Sequence, residues 1–277
     1  MPGLRAFQIS SITGALAWLG FFSHGQAEDW PQWLGTKRDA VWRENEIINQ
    51  FPEGGPKLRW KTKLGGGYSG PAVAKGRVFV MDRLAAGVDP AKARVLHDGL
   101  PPRNKNFVRK LLPGIERLVC LNEADGKLLW THEWDCPYTT VAAYATGPRA
   151  TPTVDGDRVY ALGAEGNLFC LSSLNGSVIW LRDFKKDYRL EIPEWGTAAH
   201  PLVDGDKLIC IVGGEGSTCV ALEKGTGREL WRALSAKQPG YCPPVIRRIG
   251  GKRQLLVWHR DRKSTRLNSS HVKRSRM

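Results

Sequence analysis

The sequence has no unbroken run of about 20 apolar residues, the length a membrane-crossing helix needs. Its longest apolar stretch, 9–22, is interrupted by Ser10, Ser11, Thr13 and Gly14. It has no Cys-x-x-Cys and no Cys-x-x-Cys-His, which excludes thioredoxin-type redox motifs and covalent haem attachment. No His pair stands at zinc-ligand spacing. Residues 155–180 carry no helical period. Acidic residues are scarce beside basic ones, 27 against 41 Lys and Arg. The excess is spread along the chain without a nucleic-acid-binding motif, so nucleic acid is not an expected partner. What the chain does have is glycine, 31 residues, and tryptophan, 11 residues, both at regular intervals.

The stretch "DGDRVYALGAEGNLFCLSSLNGSVIW", 155–180, shows the interval. Asp155-Gly156, Glu165-Gly166 and Asn175-Gly176 lie ten residues apart, with β-branched, aromatic and aliphatic runs between them. Asp-Gly and Asn-Gly are two-residue hairpin signals, expected here as type I′ turns. Turns at this spacing predict an antiparallel meander. Asp155-Gly156-Asp157 and Asp204-Gly205-Asp206 read as turn chemistry, since a calcium loop needs further oxygen ligands at fixed spacing.

The unit recurs. "TPTVDGDRVYALGAEGNLFCLSSLNGSVIW" (151–180) is echoed by 200–231, by an interrupted copy at 70–83 and 116–130, and by a start at 243–259. The copies close on Trp60, Trp130, Trp180 and Trp231, spaced 70, 50 and 51 residues apart, the longest interval holding an insertion near 84–115. A period of this size with about four strands per copy predicts an all-β propeller. Each blade must cover a face of the next, and an indole supplies the apolar area. The insertion carries Lys92, Arg94, Arg103, Lys105, Arg109 and Lys110 and is expected as a solvated loop.

"DGKLLW" (125–130), "NGSVIW" (175–180) and "TGRELW" (226–231) resemble the closing motif of the pyrroloquinoline-quinone (PQQ)-type propeller repeat. "DWPQWLGTKRDAVW" (29–42) resembles the start of bacterial PQQ-binding-like β-propeller repeat proteins. The resemblance covers about 29–259. It implies a parent of seven or eight four-stranded blades, of which this chain holds about three and part of a fourth. Quinoprotein dehydrogenases of this kind bind PQQ on the axis against a disulfide between adjacent cysteines, with a Trp on the other face, a calcium ion and an Asp base. No Cys-Cys pair exists here. PQQ catalysis is therefore not the favoured expectation, and neither a catalytic nor a metal site is assigned.

At the ends, 1–27 reads as a signal peptide, with Arg5, an apolar stretch and Gly25-Gln26-Ala27 before the cut. No Cys follows for a lipid anchor. The expectation is a periplasmic or secreted protein with no transmembrane segment after cleavage. The tail 261–277 drops the repeat, and 261–271 reads as the in-frame translation of a sequencing-library adapter, leaving 28–260 as a partial propeller. An open set of blades is expected to self-associate.

Of the six cysteines, Cys120 and Cys170 stand ten residues before a closing Trp and read as core. Cys210 and Cys219 flank one predicted hairpin and are candidates to pair; Cys136 and Cys242 fall in expected loops. Ligands of propellers collect at one mouth of the channel. The loops preceding the inner strands, 65–71, 144–152, 193–201 and 239–244, bring Tyr68, Arg149, Trp195, His200 and Tyr241 there. Such groups suit a carbohydrate, peptide or anionic ligand. His200 takes the place of Thr151 in the preceding copy and reads as a local substitution rather than a base. The favoured expectation is a non-catalytic ligand- or protein-binding propeller. The alternatives are a quinoprotein dehydrogenase fragment and a scaffold in outer-membrane protein assembly.

Overall fold

The computed structural model describes residues 28–45, 48–97, 102–141 and 146–259, and the backbone of 271–276. The expected signal peptide, 1–27, and most of the tail lie outside the described residues.

Four antiparallel sheets follow one another as meanders. The first is β1 (Ala72–Ala74), β2 (Arg77–Ala85), β3 (Gly114–Asn122) and β4 (Leu128–Cys136). The second is β5 (Thr153–Asp155), β6 (Arg158–Leu162), β7 (Asn167–Ser172) and β8 (Val178–Asp183). The third is β9 (Leu202–Asp204), β10 (Lys207–Ile211), β11 (Cys219–Glu223) and β12 (Glu229–Ala233). The fourth has three strands, β13 (Val245–Ile249), β14 (Lys252–His259) and β15 (His271–Arg276), the last drawn from the tail. One short helix, α1 (Phe184–Tyr188), follows β8. The short inner strands β1, β5 and β9 neighbour one another, so the sheets radiate from a common axis as blades.

Period-2 patterning on strands buried on both faces explains the core. Phe79 and Met81 of β2 point into the layer shared with Val159, Ala161 and Phe169 of blade 2. Val78 and Val80 point the other way, under Trp60. Blades 2 and 3 share Tyr160, Leu162, Leu168, Leu208 and Val220. Blades 3 and 4 share Ile209, Ile211, Ala221, Leu255 and Val257. Cys120 and Cys170 are fully buried in these layers, each opposite its closing Trp across the strand pair.

The closing tryptophans act alike. Trp60 Nε1 donates to Glu123 O at 2.8 Å, Trp130 to Ser173 O at 3.3 Å and Trp180 to Lys224 O at 3.1 Å. Each acceptor opens the turn between the two outer strands of the next blade, and each indole lies over that turn's glycine. A Cβ on Gly126, Gly176 or Gly227 would sit 2.4, 2.5 or 2.7 Å from the ring, and all three have positive φ. A register shift beside Trp130, Trp180 and Trp231 leaves Leu129, Ile179 and Leu230 unpaired. This repeated bulge re-aims the indole toward the next blade. Gly176→Ala is expected to destabilise the chain by at least about 1 kcal/mol, since it adds both a clash and an unfavourable φ. Gly225→Ala, in open space, leaves the urea midpoint unchanged.

Three expectations need correction. The type I′ turns are not formed at Asp155-Gly156 or Asn175-Gly176, where only the glycine has positive φ. The first is a two-residue turn with glycine leading, and the second is part of a five-residue loop. Cys210 and Cys219 do not pair. Cys210 faces Val220 across the ladder and Cys219 faces Ile211, so the pleat sends the two thiols to opposite faces. Cys210 joins the layer with blade 2 and Cys219 the layer with blade 4. Cys136 is not in a loop but ends β4, buried.

Candidate ligand-binding mouth

Antiparallel meanders put the connection into each inner strand and the loop between the two middle strands at the same end of every blade. That end gathers the loop before β1, the insertion after β2, and the connections leading to β5, β9 and β13. Close approach of the first two connections needs glycine. A Cβ on Gly147 would meet Gly66 O at 2.5 Å, and this proximity lets Tyr68 N donate to Pro148 O at 2.9 Å.

Arg149 sits between two rings there. Its guanidinium carbon lies 4.5 Å from the Tyr68 ring centre and 5.5 Å from that of Trp195. Its Nε is buried without a hydrogen-bond partner among the described residues. Tyr241 Oη accepts from Trp195 N at 3.3 Å. Tyr68, Arg149, Trp195 and Tyr241, from four different connections, thus form one continuous row. Tyr68 and Tyr241 remain 50% and 41% exposed, which leaves ring faces open to solvent.

His200 stands apart from this row. Its ring stacks on Trp33, with centroids 5.0 Å apart and 17° between planes. Its Nδ1 accepts from Thr151 N at 2.6 Å. Burial, and then the nearby Arg38 charge, push its pKa down to about 4. It is a neutral acceptor between blades 2 and 3.

The insertion is not simply a solvated loop. Leu96 and Leu111 donate to Arg109 O and Arg94 O, folding it into a ribbon. Half-buried Arg109 donates to Thr139 O at 2.7 Å and Ile192 O at 3.0 Å, while Lys92, Arg94, Arg103 and Lys105 stay exposed. The ribbon delivers Phe107 edge-on to Trp195, with centroids 6.0 Å apart. Phe107 is a mouth residue that sequence reading missed; the only signal was an aromatic inside the basic insertion.

Beneath the insertion, two carboxylates are buried. Glu116 accepts from Ala164 N at 3.1 Å and Trp134 Nε1 at 3.2 Å, which ties blade 1 to blade 2. Glu165 accepts from Thr139 N at 2.6 Å and Lys185 Nζ at 3.2 Å. Arg83 stacks on Tyr138 at 4.8 Å and donates to Pro113 O and Thr146 Oγ1, each at 2.9 Å. Burial, with the Glu165 charge adding to it, pushes the Glu116 pKa up to about 7 against the pull of Ala164, Trp134 and Arg83. Burial and the same two carboxylates push the Cys136 thiol up.

These features define a repeat propeller with an aromatic and cationic mouth. The family model described as "Outer membrane protein assembly factor BamB", a model of PQQ-like repeats, matches residues 114–264, and the chain belongs to this PQQ-like repeat β-propeller family. No curated protein matches the chain. Similar solved structures include BamB from Moraxella catarrhalis, 15% identical over 76% of this chain and 62% of that one, TM-score 0.36. Quinohemoprotein alcohol dehydrogenase from Comamonas testosteroni is 16% identical over 88% of this chain and 49% of that one, TM-score 0.40. The computationally designed Ika4 protein is 11% identical over 80% of this chain and 99% of that one, TM-score 0.43. The chain spans about three fifths of the length of the Moraxella protein.

The described residues do not fit the quinone that the family's name implies. The sequence has no adjacent cysteine pair. Among the described residues no group of three or more His, Cys, Asp or Glu could hold a metal. The inner edges of β1 and β5 are taken by Trp30 and Pro31. Among the described residues no helix is long and apolar enough to cross a membrane.

Proposed function

We propose that this protein is an exported propeller without chemistry of its own that binds a carboxylate-bearing ligand at the mouth formed by Tyr68, Arg149, Trp195, Tyr241 and Phe107. The carrying observation is Arg149. Aromatic faces hold its guanidinium, and its buried Nε has no hydrogen-bond partner among the described residues, so the cation is placed by ring stacking and suits an incoming anion. Tyr68 and Tyr241 offer flat apolar faces beside that charge, suited to a sugar ring or a peptide side chain. Exposed Lys105 and Arg103 on the insertion add positive potential at the same end. The five mouth side chains include no Ser, Cys, His, Asp or Glu.

A second reading, a scaffold in outer-membrane protein assembly, is favoured by the description of the family to which the chain belongs. In that reading the carboxylate belongs to a protein segment. Titration with an oligouronate and, separately, with an acidic peptide distinguishes the sources. Arg149→Ala is expected to weaken the productive partner at least about tenfold, in line with ~1.5–3 kcal/mol for a hydrogen bond to a charged group. Binding of either ligand that is unchanged in Arg149→Ala and Tyr68→Ala would remove the mouth from consideration.

A further inference from the structure

The inner strands β1, β5, β9 and β13 each turn one edge toward the axis, and unpaired backbone groups there need partners. Residues 29–40 supply them on β1 and β5 and reach the carbonyls before β9 and β13 through Arg38. Trp30 and Val73 of β1 exchange two backbone hydrogen bonds, at 2.8 and 2.9 Å. Val154 N of β5 donates to Pro31 O at 2.8 Å. The Asp29 carboxylate accepts from Lys75 N in the turn after β1, at 3.2 Å. The segment then folds back on itself, with Leu34 O accepting from Asp39 N and Ala40 N. Gly35 passes under the Trp30 ring, where a Cβ would come within 2.8 Å.

The fold-back delivers Arg38 to blades 3 and 4. Arg38 is 3% exposed. Its guanidinium donates to Pro201 O at 2.9 Å, Pro244 O at 3.3 Å, His200 O at 3.4 Å and Gln32 Oε1 at 3.2 Å. Arg247 of β13 in turn donates to Arg38 O. Trp33 lies between the Arg38 guanidinium, 5.5 Å from its ring centre, and the His200 ring. One segment of twelve residues therefore touches every described blade by its inner edge.

The Arg38 cation is buried with main-chain and amide oxygens as its only acceptors among the described residues, and the Arg247 charge is near it. A side chain placed only for packing would not carry a charge there. The fan of donors in a guanidinium matches converging carbonyls, which an ammonium or an apolar side chain cannot do. The pattern is that of a bound peptide: an extended stretch adds to a strand edge, and side-chain anchors follow.

We propose that the axis-facing groove of the blades is a peptide-binding site, selective for Trp-Pro-x-Trp followed by a downstream Arg, and that its occupant is the chain's own residues 29–40. This self-ligand takes the axial space and fixes the starts of the inner strands through His200 and Thr151, two residues from the mouth cation Arg149.

Amide hydrogen exchange on the full chain, followed by site-resolved mass spectrometry, tests this. In the wild type the Trp30, Val73 and Val154 amides are expected to be protected like strand amides. Arg38→Ala is expected to cost at least about tenfold of that protection while Tyr160 and Cys170 in blade 2 keep theirs, because local release does not need global unfolding. An excess of synthetic peptide 28–44 then restores protection at Val73 and Val154 in the variant, and the same peptide carrying Arg38→Ala does not. The proposal is overturned by wild-type Trp30 exchanging as in an unstructured peptide. It is also overturned if protection is unaffected by Arg38→Ala, if segment and blade amides are lost together, or if the peptide fails to restore protection.

Discussion

Trp180→Ala lowers the stability of the chain by about 3–5 kcal/mol, the range for truncating a buried large aromatic. Trp180 is 8% exposed and sits in the layer between blades 2 and 3, with Tyr160, Leu168, Leu208 and Leu222 around it. Truncation opens a cavity over Gly227 and frees the Lys224 carbonyl from one of its two donors, Tyr160 Oη remaining at 3.0 Å. It also leaves the bulge at Ile179 without the indole beside it. The urea midpoint reads this directly. Trp42→Ala, at a side chain 62% exposed, changes it by less than about 0.5 kcal/mol. A Trp180→Ala protein as stable as the Trp42→Ala protein would mean that blades 2 and 3 are not held by this residue.

Between pH 5 and 8 buried His200 gains stability as the pH rises, because its folded pKa of about 4 lies below its ordinary 6.5, and Glu116 works against it. Its carboxyl titrates near 4.5 when unfolded and is pushed up to about 7 in the fold, chiefly by burial. The folded state therefore binds the proton more tightly. Its contribution is complete below about 4.5, is lost as the pH climbs through about 7, and amounts to about 3 kcal/mol at ~1.4 kcal/mol per pH unit. The charged form that remains at high pH is held by Ala164 N and Trp134 Nε1, with Arg83 nearby. Glu116→Gln is expected to make stability rise more steeply between pH 5 and 8 than in the wild type, because it cannot ionise and leaves the His200 contribution unopposed. Urea midpoints at pH 5, 6.5 and 8 for both proteins check the sign. A wild-type advantage over Glu116→Gln that grows with pH over this range would place the ionised carboxylate in a better environment than its burial allows.

Much of the architecture was legible in the residues. Alternating apolar runs, glycine turns ten residues apart and Trp130, Trp180 and Trp231 at spacings near 50 specify four-stranded blades, because each signal is local and repeats. The burial of Cys120 and Cys170 followed from their equivalent places in the repeat. Turn types were misread, since Asn175-Gly176 belongs to a five-residue loop whose length only the bulge at Ile179 explains. The Cys210–Cys219 pairing was misjudged by counting residues along a hairpin; register decides the face, and a shift of one residue reverses it.

The candidate site was legible in part. Four connections to inner strands must emerge at one end of a meander, so Tyr68, Arg149, Trp195 and Tyr241 were expected near one another from topology alone. Phe107, Arg109 and the Glu116–Glu165 pair were not expected. Phe107 meets Trp195 across 88 residues of sequence, and Arg109 meets Ile192 across 83. No periodicity announces contacts of that range. The sequence by itself determined the repeat, the strand period and the residue types of the interblade layers, because backbone sterics and apolar burial act within one blade and its neighbour. Only the tertiary structure decided what lies on the axis, which loop residues share the mouth and which carboxylate is buried, because those depend on where distant segments end their paths in space. Arg38, reaching carbonyls more than 160 residues away, is the clearest instance: its chemistry is set by its partners rather than by its neighbours in the chain.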